Sequence, residues 1–333
     1  MRTLTNQSLQ SYNTFGVDVR AKQLCFLEDY DDVKEFAKYG HRPILGKWSN
    51  VLLTHDVDIV GINAFMNPPE LVNANDRSNP VLVKVWSWYL RDEFVKRSLE
   101  AGYNGLENMW LIPWTVWAGT LWNIGAYGKE IEEFIYSVEY IDLKTHELHT
   151  LLSDQCDFSY RRSVFKTMSD YFISSVVFRF DTSPEYAIKA DYPDIQKAIT
   201  TLWSDNLKPI DIYKLVCEIR TAKMPSRDEF GTAGSFFKNP IVSAAALWEL
   251  QKKDPAIKFF PHGDRFKLSA GYLLEQLWYK GKMIWKVWSY RNQSLVLVNQ
   301  WWSGQEIDAF ARMIEDDVLQ MYGISLEREV IMM

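Results

Sequence analysis

Short apolar runs of strand character and stripes of helical period follow one another along this chain without a regular strand–helix–strand repeat. That irregular order constrains the fold more than any other feature. A doubly wound parallel sheet needs the repeat, because each crossover must bring the chain back to the same sheet. Its absence favours an α+β architecture. Residues 24–27, 43–45, 51–53, 59–62, 81–85, 171–180 and 295–298 read as strands. Residues 134–152 alternate like a hairpin that turns at Lys144-Thr-His. Helices are predicted over residues 31–39, 91–101, 195–203, 209–221, 243–253, 270–277 and 305–322. The last is the clearest. Ile307, Phe310, Ile314, Val318 and Met321 form its stripe, and Gly323 closes it. Asn and Pro cluster over residues 66–80, which marks a boundary or long loop, and residues 184–193 read as a second loop.

At 333 residues the chain exceeds one simple core, so two or three domains are expected. A net charge of −6, with no block of Lys and Arg, argues against non-specific nucleic-acid binding. Cys25, Cys156 and Cys217 are far apart and odd in number. They suggest neither a disulfide framework nor a CxxC metal or redox pair, and fit a reducing cytoplasm. The first residues lack the apolar core of a secretion signal, and no run approaches the ~20 apolar residues of a membrane span. The 14 tryptophans are abnormal. Many lie beside turn-like residues, where burying an indole and satisfying its N–H is hard.

Several segments carry candidate chemistry. In Gly231-Thr-Ala-Gly-Ser-Phe-Phe-Lys-Asn-Pro240, glycine permits close backbone approach and Ser235 offers a hydroxyl with no histidine nearby to make it a nucleophile. Phe236 and Phe237 would exclude water, and Lys238 and Asn239 offer donors. The plain alternative is a glycine-rich turn leading to the helix that starts near Ser243. In Trp122-Asn-Ile-Gly-Ala-Tyr-Gly128, small residues let backbone N–H groups reach a flat ring or a pyrophosphate, or simply turn the chain. Arg161, in Phe158-Ser-Tyr-Arg-Arg162, can clamp a carboxylate bidentately or serve as a surface arginine. Glu329, in Glu327-Arg-Glu-Val330, can act as an acid if buried, or belong to a solvated tail. His146-Glu-Leu-His149 reads as a solvated hairpin, because i, i+3 places two side chains on opposite faces of a strand. No GxGxxG or Walker loop is present.

Taken together, these segments resemble the UDP-N-acetylenolpyruvoylglucosamine reductase (MurB) family of flavoenzymes. The resemblance runs through Asn13-Thr-Phe-Gly16, Leu45-Gly-Lys-Trp-Ser-Asn50, Gly105-Leu-Glu-Asn108 and Asn123-Ile-Gly-Ala-Tyr-Gly128. It continues through Tyr160-Arg161, Gly234-Ser-Phe-Phe-Lys-Asn-Pro240, Gln293-Ser-Leu-Val-Leu-Val-Asn299 and Leu326-Glu-Arg-Glu-Val330. The stretch around residues 186–195, with Tyr192, resembles the tyrosine loop of the longer subtype.

The resemblance implies an α+β fold of three domains: residues 1–66 with 320–333 and residues 67–206 for FAD, and residues 207–319 for the substrate. It implies NADPH-driven reduction of UDP-N-acetylglucosamine enolpyruvate to UDP-N-acetylmuramate for peptidoglycan, by a cytoplasmic monomer that engages neither nucleic acid nor membrane. Ser235, Arg161 and Glu329 match the catalytic positions. Leu45, Gly46, Ser49, Asn50, Asn123, Gly125, Ala126, Gly128 and Arg220 match the FAD positions. Tyr127, Tyr192, Lys223, Asn239, Lys280 and Gln293 match the substrate positions, and no metal is implied.

The chain departs from the family pattern in a concentrated way. Trp48, Trp86, Trp88, Trp114, Trp117, Trp285 and Trp288 stand where the family carries glycine. Trp110 replaces a small residue, Trp122 a glutamine, and Thr120, Arg227 and Arg328 prolines. Indoles at 48, 114 and 117 would take space beside FAD, and overpacking costs typically about 1–3 kcal/mol per site. A partly filled flavin pocket is therefore expected. The alternative function is a flavin-free protein that at most binds a UDP-sugar through Tyr192, Lys223, Lys280 and Gln293.

Overall fold

A computed structural model describes residues 1–46, 49–64, 68–72, 80–110, 114–183, 185–188, 190, 192–202, 207–226, 229–284, 286–300 and 303–333. Trp48, Arg227, Trp285, Trp301, Trp302 and much of the Asn/Pro-rich stretch lie outside the described residues. The chain divides into two compact units. The first is Met1–Thr5, Gln23–Lys47 and Asp58–Arg220; the second is Asn6–Lys22, Trp48–Val57 and Thr221–Met333.

The first unit carries most of a four-stranded sheet in the order Arg2–Ser8, Arg20–Leu27, Val57–Asn63, Ile44–Leu45. Helix α1 (Tyr30–Ala37) starts where the Asp29 carboxylate accepts the Asp32 N–H, which satisfies an otherwise orphaned donor. Its Val33 and Phe36 join Cys25, Leu27, Trp88, Ile141 and Phe172 in one buried cluster. A five-stranded antiparallel sheet runs Leu148–Leu152, Ile135–Asp142, Tyr171–Phe180, Val81–Trp86, Glu70–Leu71. Its central strand is buried along nearly its whole length, as its apolar run predicts. Helices α2 (Arg91–Glu100), α3 (Val116–Leu121) and α4 (Pro193–Leu202) belong here, with most of α5 (Pro209–Lys223). Ile195 packs with Ile212, Leu215 and Val216.

The second unit holds an antiparallel sheet ordered Gly231–Ser235, Gln293–Asn299, Val287–Tyr290, Met283–Ile284. A three-stranded sheet pairs Arg265–Leu268 with Ile241–Val242 and Phe259–His262. Val51–Leu52 and Ile331–Met332 pair in parallel. Helices α6 (Ala244–Lys253), α7 (Ala270–Gln276) and α8 (Gly304–Tyr322) all begin at serine caps, Ser243, Ser269 and Ser303. Helix α8 buries Ile307, Phe310, Ile314 and Val318 and ends at Gly323 with φ +69°, whereas Met321 of the expected stripe is exposed.

Residues 231–240 differ from the glycine-rich turn that composition suggests. They form a core strand and the approach to a second. Gly231 is there for close packing: a Cβ on it would lie 1.9 Å from the Phe15 carbonyl oxygen. The same oxygen accepts the Asn299 side-chain N–H at 2.9 Å, and Thr232 N–H donates to Thr14 at 2.8 Å. Helix α3 and the hairpin over residues 259–268 were not legible in the sequence pattern.

Candidate functional site

In the first unit, Gly125–Ala126 and Lys129–Glu130 form a hairpin with a two-residue loop. Both loop residues have positive φ, Tyr127 at +49° and Gly128 at +80°. This is the backbone sign pattern of a type I′ turn, whose twist matches that of the flanking strands. Glycine meets the demand at 128, and Tyr127 bears it with a full side chain. A second tight turn, closed by Ser159 and Arg162, holds Arg161 at φ +56°.

Asn123, buried and itself at φ +41°, ties the two turns together. Its side-chain amide donates to the Ser159 carbonyl at 3.0 Å and the Glu130 carboxylate at 3.2 Å. Its oxygen accepts the Glu132 N–H at 3.2 Å. The Arg161 guanidinium donates to the carbonyls of Gly125 at 3.1 Å and Asn123 at 3.4 Å, with Glu130 at 3.9 Å. Lys166 donates to the Arg161 carbonyl at 3.3 Å. Three expected site residues thus sit in sparsely populated backbone within one network, the kind of strain that surrounding structure must over-determine.

The Tyr127 ring meets Tyr192 edge-on at 5.0 Å, and the Arg220 guanidinium lies 6.0 Å from its centroid. Burial pushes the Tyr127 hydroxyl up to about 12, so it is a neutral hydrogen-bonding group at ordinary pH. Burial raises Tyr192 as well. The tyrosine stretch is fastened by Tyr186, which donates to Glu107 at 2.6 Å, while Glu107 accepts the Gly105 N–H at 2.8 Å.

Leu45 is buried, and beside it a Cβ on Gly46 would lie 2.9 Å from the Thr115 hydroxyl oxygen. Gly125 is hemmed in similarly, by the Lys129 carbonyl at 2.8 Å. Ala126 is half-buried and Gly128 is exposed. The tryptophans at glycine positions largely bury against other aromatics. Trp86 stacks on Trp88 at 5.5 Å, Trp114 meets Trp122 at 6.5 Å, and Trp288 meets Phe230 at 5.2 Å. Trp110, at a small-residue position, meets Tyr213 at 4.9 Å. Trp117 is half-buried, and its backbone N–H donates to the Ser87 carbonyl.

In the second unit, Ser235 ends its strand exposed, directly after Gly234 at φ +80°. Phe236 and Phe237 turn into the core, 5.1 Å apart. Glu329 is brought alongside: its N–H donates to the Phe236 carbonyl at 2.8 Å, and Lys238 N–H donates to the Glu327 carbonyl at 2.8 Å. The backbone of Glu329 therefore lies beside a residue adjacent to Ser235. Asn50 locks the arrangement, donating from its side chain to the Glu329 carbonyl at 2.9 Å while its own carbonyl accepts the Ile331 N–H at 2.9 Å. Ser49 and Asn50 are buried, and the Asn50 Oδ1 has no hydrogen-bond partner among the described residues. An acceptor left so costs about 1–3 kcal/mol. A flavin N–H or ribityl hydroxyl would satisfy it, so these residues fit the group that the sequence implies.

Other expected residues have protein partners. Lys238 pairs with Glu327, Lys280 with Glu275 at 2.9 Å, and the Asn239 oxygen accepts the Ala270 N–H at 3.0 Å. Gln293 lies beside Gly271, and Lys223 ends α5 half-buried. His146 occupies the hairpin turn, and the His149 ring stacks on Tyr140 at 5.2 Å. Sequence reasoning missed Glu130 and Glu107, carboxylates that fasten the site turns. It also missed the carboxylates of α8 that hold Arg328. Their spacing in the chain carries no signal of that role.

A family model described as UDP-N-acetylenolpyruvoylglucosamine reductase, C-terminal domain, matches residues 225–333. A protein named UDP-N-acetylenolpyruvoylglucosamine reductase from Flavobacterium johnsoniae is 35% identical over 99% of both chains. One of the same name from Pseudomonas aeruginosa is 36% identical over 97% of this chain and 96% of its own. The crystal structure of MurB from Thermus caldophilus superposes with a TM-score of 0.68 at 18% identity, covering 99% of this chain and 98% of that one. That likeness shows the fold.

Proposed function

The chain belongs to the UDP-N-acetylenolpyruvoylglucosamine reductase family, and from that premise we propose that it reduces UDP-N-acetylglucosamine enolpyruvate to UDP-N-acetylmuramate, using FAD and NADPH, in peptidoglycan precursor synthesis. It is an oxidoreductase of the α+β MurB fold. The observation that supports the reading best is the pairing of Glu329 against the segment that follows Ser235.

Leu45, Gly46, Ser49, Asn50, Asn123, Gly125, Ala126, Gly128 and Arg220 would hold FAD. When bound, FAD supplies the hydride for C3 of the enolpyruvyl group. Arg161 binds the substrate carboxylate through charge-assisted hydrogen bonds. Glu329 helps polarise that carboxylate as enolate character builds on it. Ser235 gives a proton to C2, a carbon basic enough to take it from a hydroxyl. Tyr127, Tyr192, Lys223, Asn239, Lys280 and Gln293 bind sugar, diphosphate or uridine, the lysines as point charges. The reading includes the three-domain division at residues 66, 206 and 319, a cytoplasmic monomer, and NADPH and a UDP-sugar as its small-molecule partners. Among the described residues no helix is long and apolar enough to cross a membrane.

Ser235→Ala tests the reading. Substrate reduction should fall by about 10²–10⁴-fold while flavin reduction by NADPH proceeds unchanged. Equal loss of both half-reactions would sink the assignment.

A second reading is a flavin-free protein that binds a UDP-sugar through Tyr192, Lys223, Lys280 and Gln293. It is favoured by the buried Trp114 indole, which packs on Trp122 next to the Thr115 that underlies Gly46. Flavin absorbance of the purified protein near one per chain excludes it.

A further inference from the structure

We propose that Arg328 is a positioning residue: it locks the strand that carries Glu329 onto helix α8 and so aims the Glu329 carboxylate. The proposal rests on the reading that Glu329 acts on the substrate.

The segment from Glu327 to Glu329 lies antiparallel to the segment from Phe236 to Lys238. Two backbone bonds join them, Lys238 N–H to the Glu327 carbonyl and Glu329 N–H to the Phe236 carbonyl, each 2.8 Å. So short a pairing is weak by itself. Side chains alternate along an extended segment, so Arg328 leaves one face while Glu327 and Glu329 leave the other. Glu327 pairs with Lys238 on its own face.

On the opposite face the Arg328 guanidinium donates three hydrogen bonds to carboxylates. Nε and Nη2 fork onto the two carboxylate oxygens of Glu315, at 2.6 and 3.0 Å. Nη1 donates to Asp308. Asp308 and Glu315 are seven residues apart on α8, so two turns of helix bring them to one face. Asp308 is in turn held by Arg312. The fork is the geometry that makes a guanidinium directional, which an ammonium is not. The guanidinium carbon also lies 5.8 Å from the centroid of the Phe236 ring, next to Ser235. Rotating the strand about its axis would swing Glu329 away, and it would have to break all three side-chain bonds to do so.

Neither backbone bond of the bridge uses the Arg328 N–H. Proline at 328 would therefore cost no ladder bond while fixing φ. Proline would keep the bridge and lose the guanidinium, so it separates a stiff backbone from the side-chain lock.

The full-length, flavin-loaded protein is assayed with NADPH and the enolpyruvyl substrate, and hydrogen exchange is followed at the Glu329 amide. Arg328→Ala should lower kcat by about tenfold with the NADPH KM unchanged, because a small misplacement of an aligned group is costly. Its Glu329 amide should exchange faster. Glu315→Gln should move both quantities the same way by less, and Arg328→Ala/Glu315→Gln should be no worse than Arg328→Ala. Arg328→Pro should behave like Arg328→Ala in both. Unchanged kcat and exchange in Arg328→Ala would overturn the proposal, as would Arg328→Pro matching the unaltered protein. Should Glu329→Gln leave kcat intact, the underlying reading of Glu329 fails. The amide exchange of Arg328→Ala still decides separately whether Arg328 holds the strand.

Discussion

The two units position their candidate site residues by opposite means. In the first, Asn123, Tyr127 and Arg161 all sit at positive φ, and a mesh of side-chain-to-carbonyl bonds keeps them there. In the second, Ser235 and Glu329 come from paired extended segments, and glycine takes the one positive φ beside them, at Gly234. Strained backbone fixes a side chain tightly but depends on every supporting bond, at roughly 1–3 kcal/mol of strain per residue. Paired backbone costs less and tolerates more, but leaves a strand free to twist unless something pins it.

The strained turns depend most on Asn123. Asn123→Ala deletes three partly buried hydrogen bonds and leaves a Cβ residue at φ +41°. A loss of about 3 kcal/mol is expected by denaturant titration. A loss below about 1 kcal/mol would mean that the turns hold themselves.

Arg91, the first residue of α2, sharpens the contrast from the other side. It is 1% exposed, and burial, opposed by Asp92 and reinforced by Arg220, holds its guanidinium down at about 10. Asp92, its carboxylate neighbour, is 3.5 Å away. Arg91→Met should stabilise the protein by about 1–3 kcal/mol, since burial costs the charge more than Asp92 returns to it. The sign with pH is definite. A folded-state value below the ordinary 12.5 means that the charged form opposes folding at every pH below about 10, and that this penalty fades as pH rises from there toward 12.5. The thermal advantage of the Met variant should therefore shrink above pH 10. An advantage that does not vary with pH would show that packing, not charge, was at stake.

The smallest effect is expected at Trp278. It lies two residues past the end of α7 at φ +59° and is 84% exposed, a left-handed position that glycine fills without cost. Trp278→Gly should gain about 1 kcal/mol, read as a rise in melting temperature, because nothing is lost with the indole. No gain would mean that the indole packs in a way that its exposure hides.

What the sequence made legible follows from what pattern can carry. The stripe on α8 and the alternation of residues 134–152 are local periodicities, and both elements formed where they were read. The strand at residues 231–235 was hidden because its glycine is required by the Phe15 carbonyl, more than 200 residues away in the chain. Motif order pointed to Tyr127 and Arg161 as candidates, but nothing in their identity announces left-handed backbone, which a tyrosine and an arginine rarely adopt. The charged run from Glu327 to Glu329 read equally well as a solvated tail. Its partners on α8 lie 13 and 20 residues upstream, a separation that no short-range pattern reports.

The order of the units along the chain has a kinetic consequence. Residues 58–220 of the first unit interrupt the second, whose strands at Val51–Leu52 and Ile331–Met332 must meet across that span. Closing so long a loop is entropically only modestly worse than closing a shorter one, but such distant contacts form slowly. Collapse of the intervening segment shortens the effective tether. The seam at Asn50 is therefore expected to zip last during refolding, making it the step at which a folding intermediate matures.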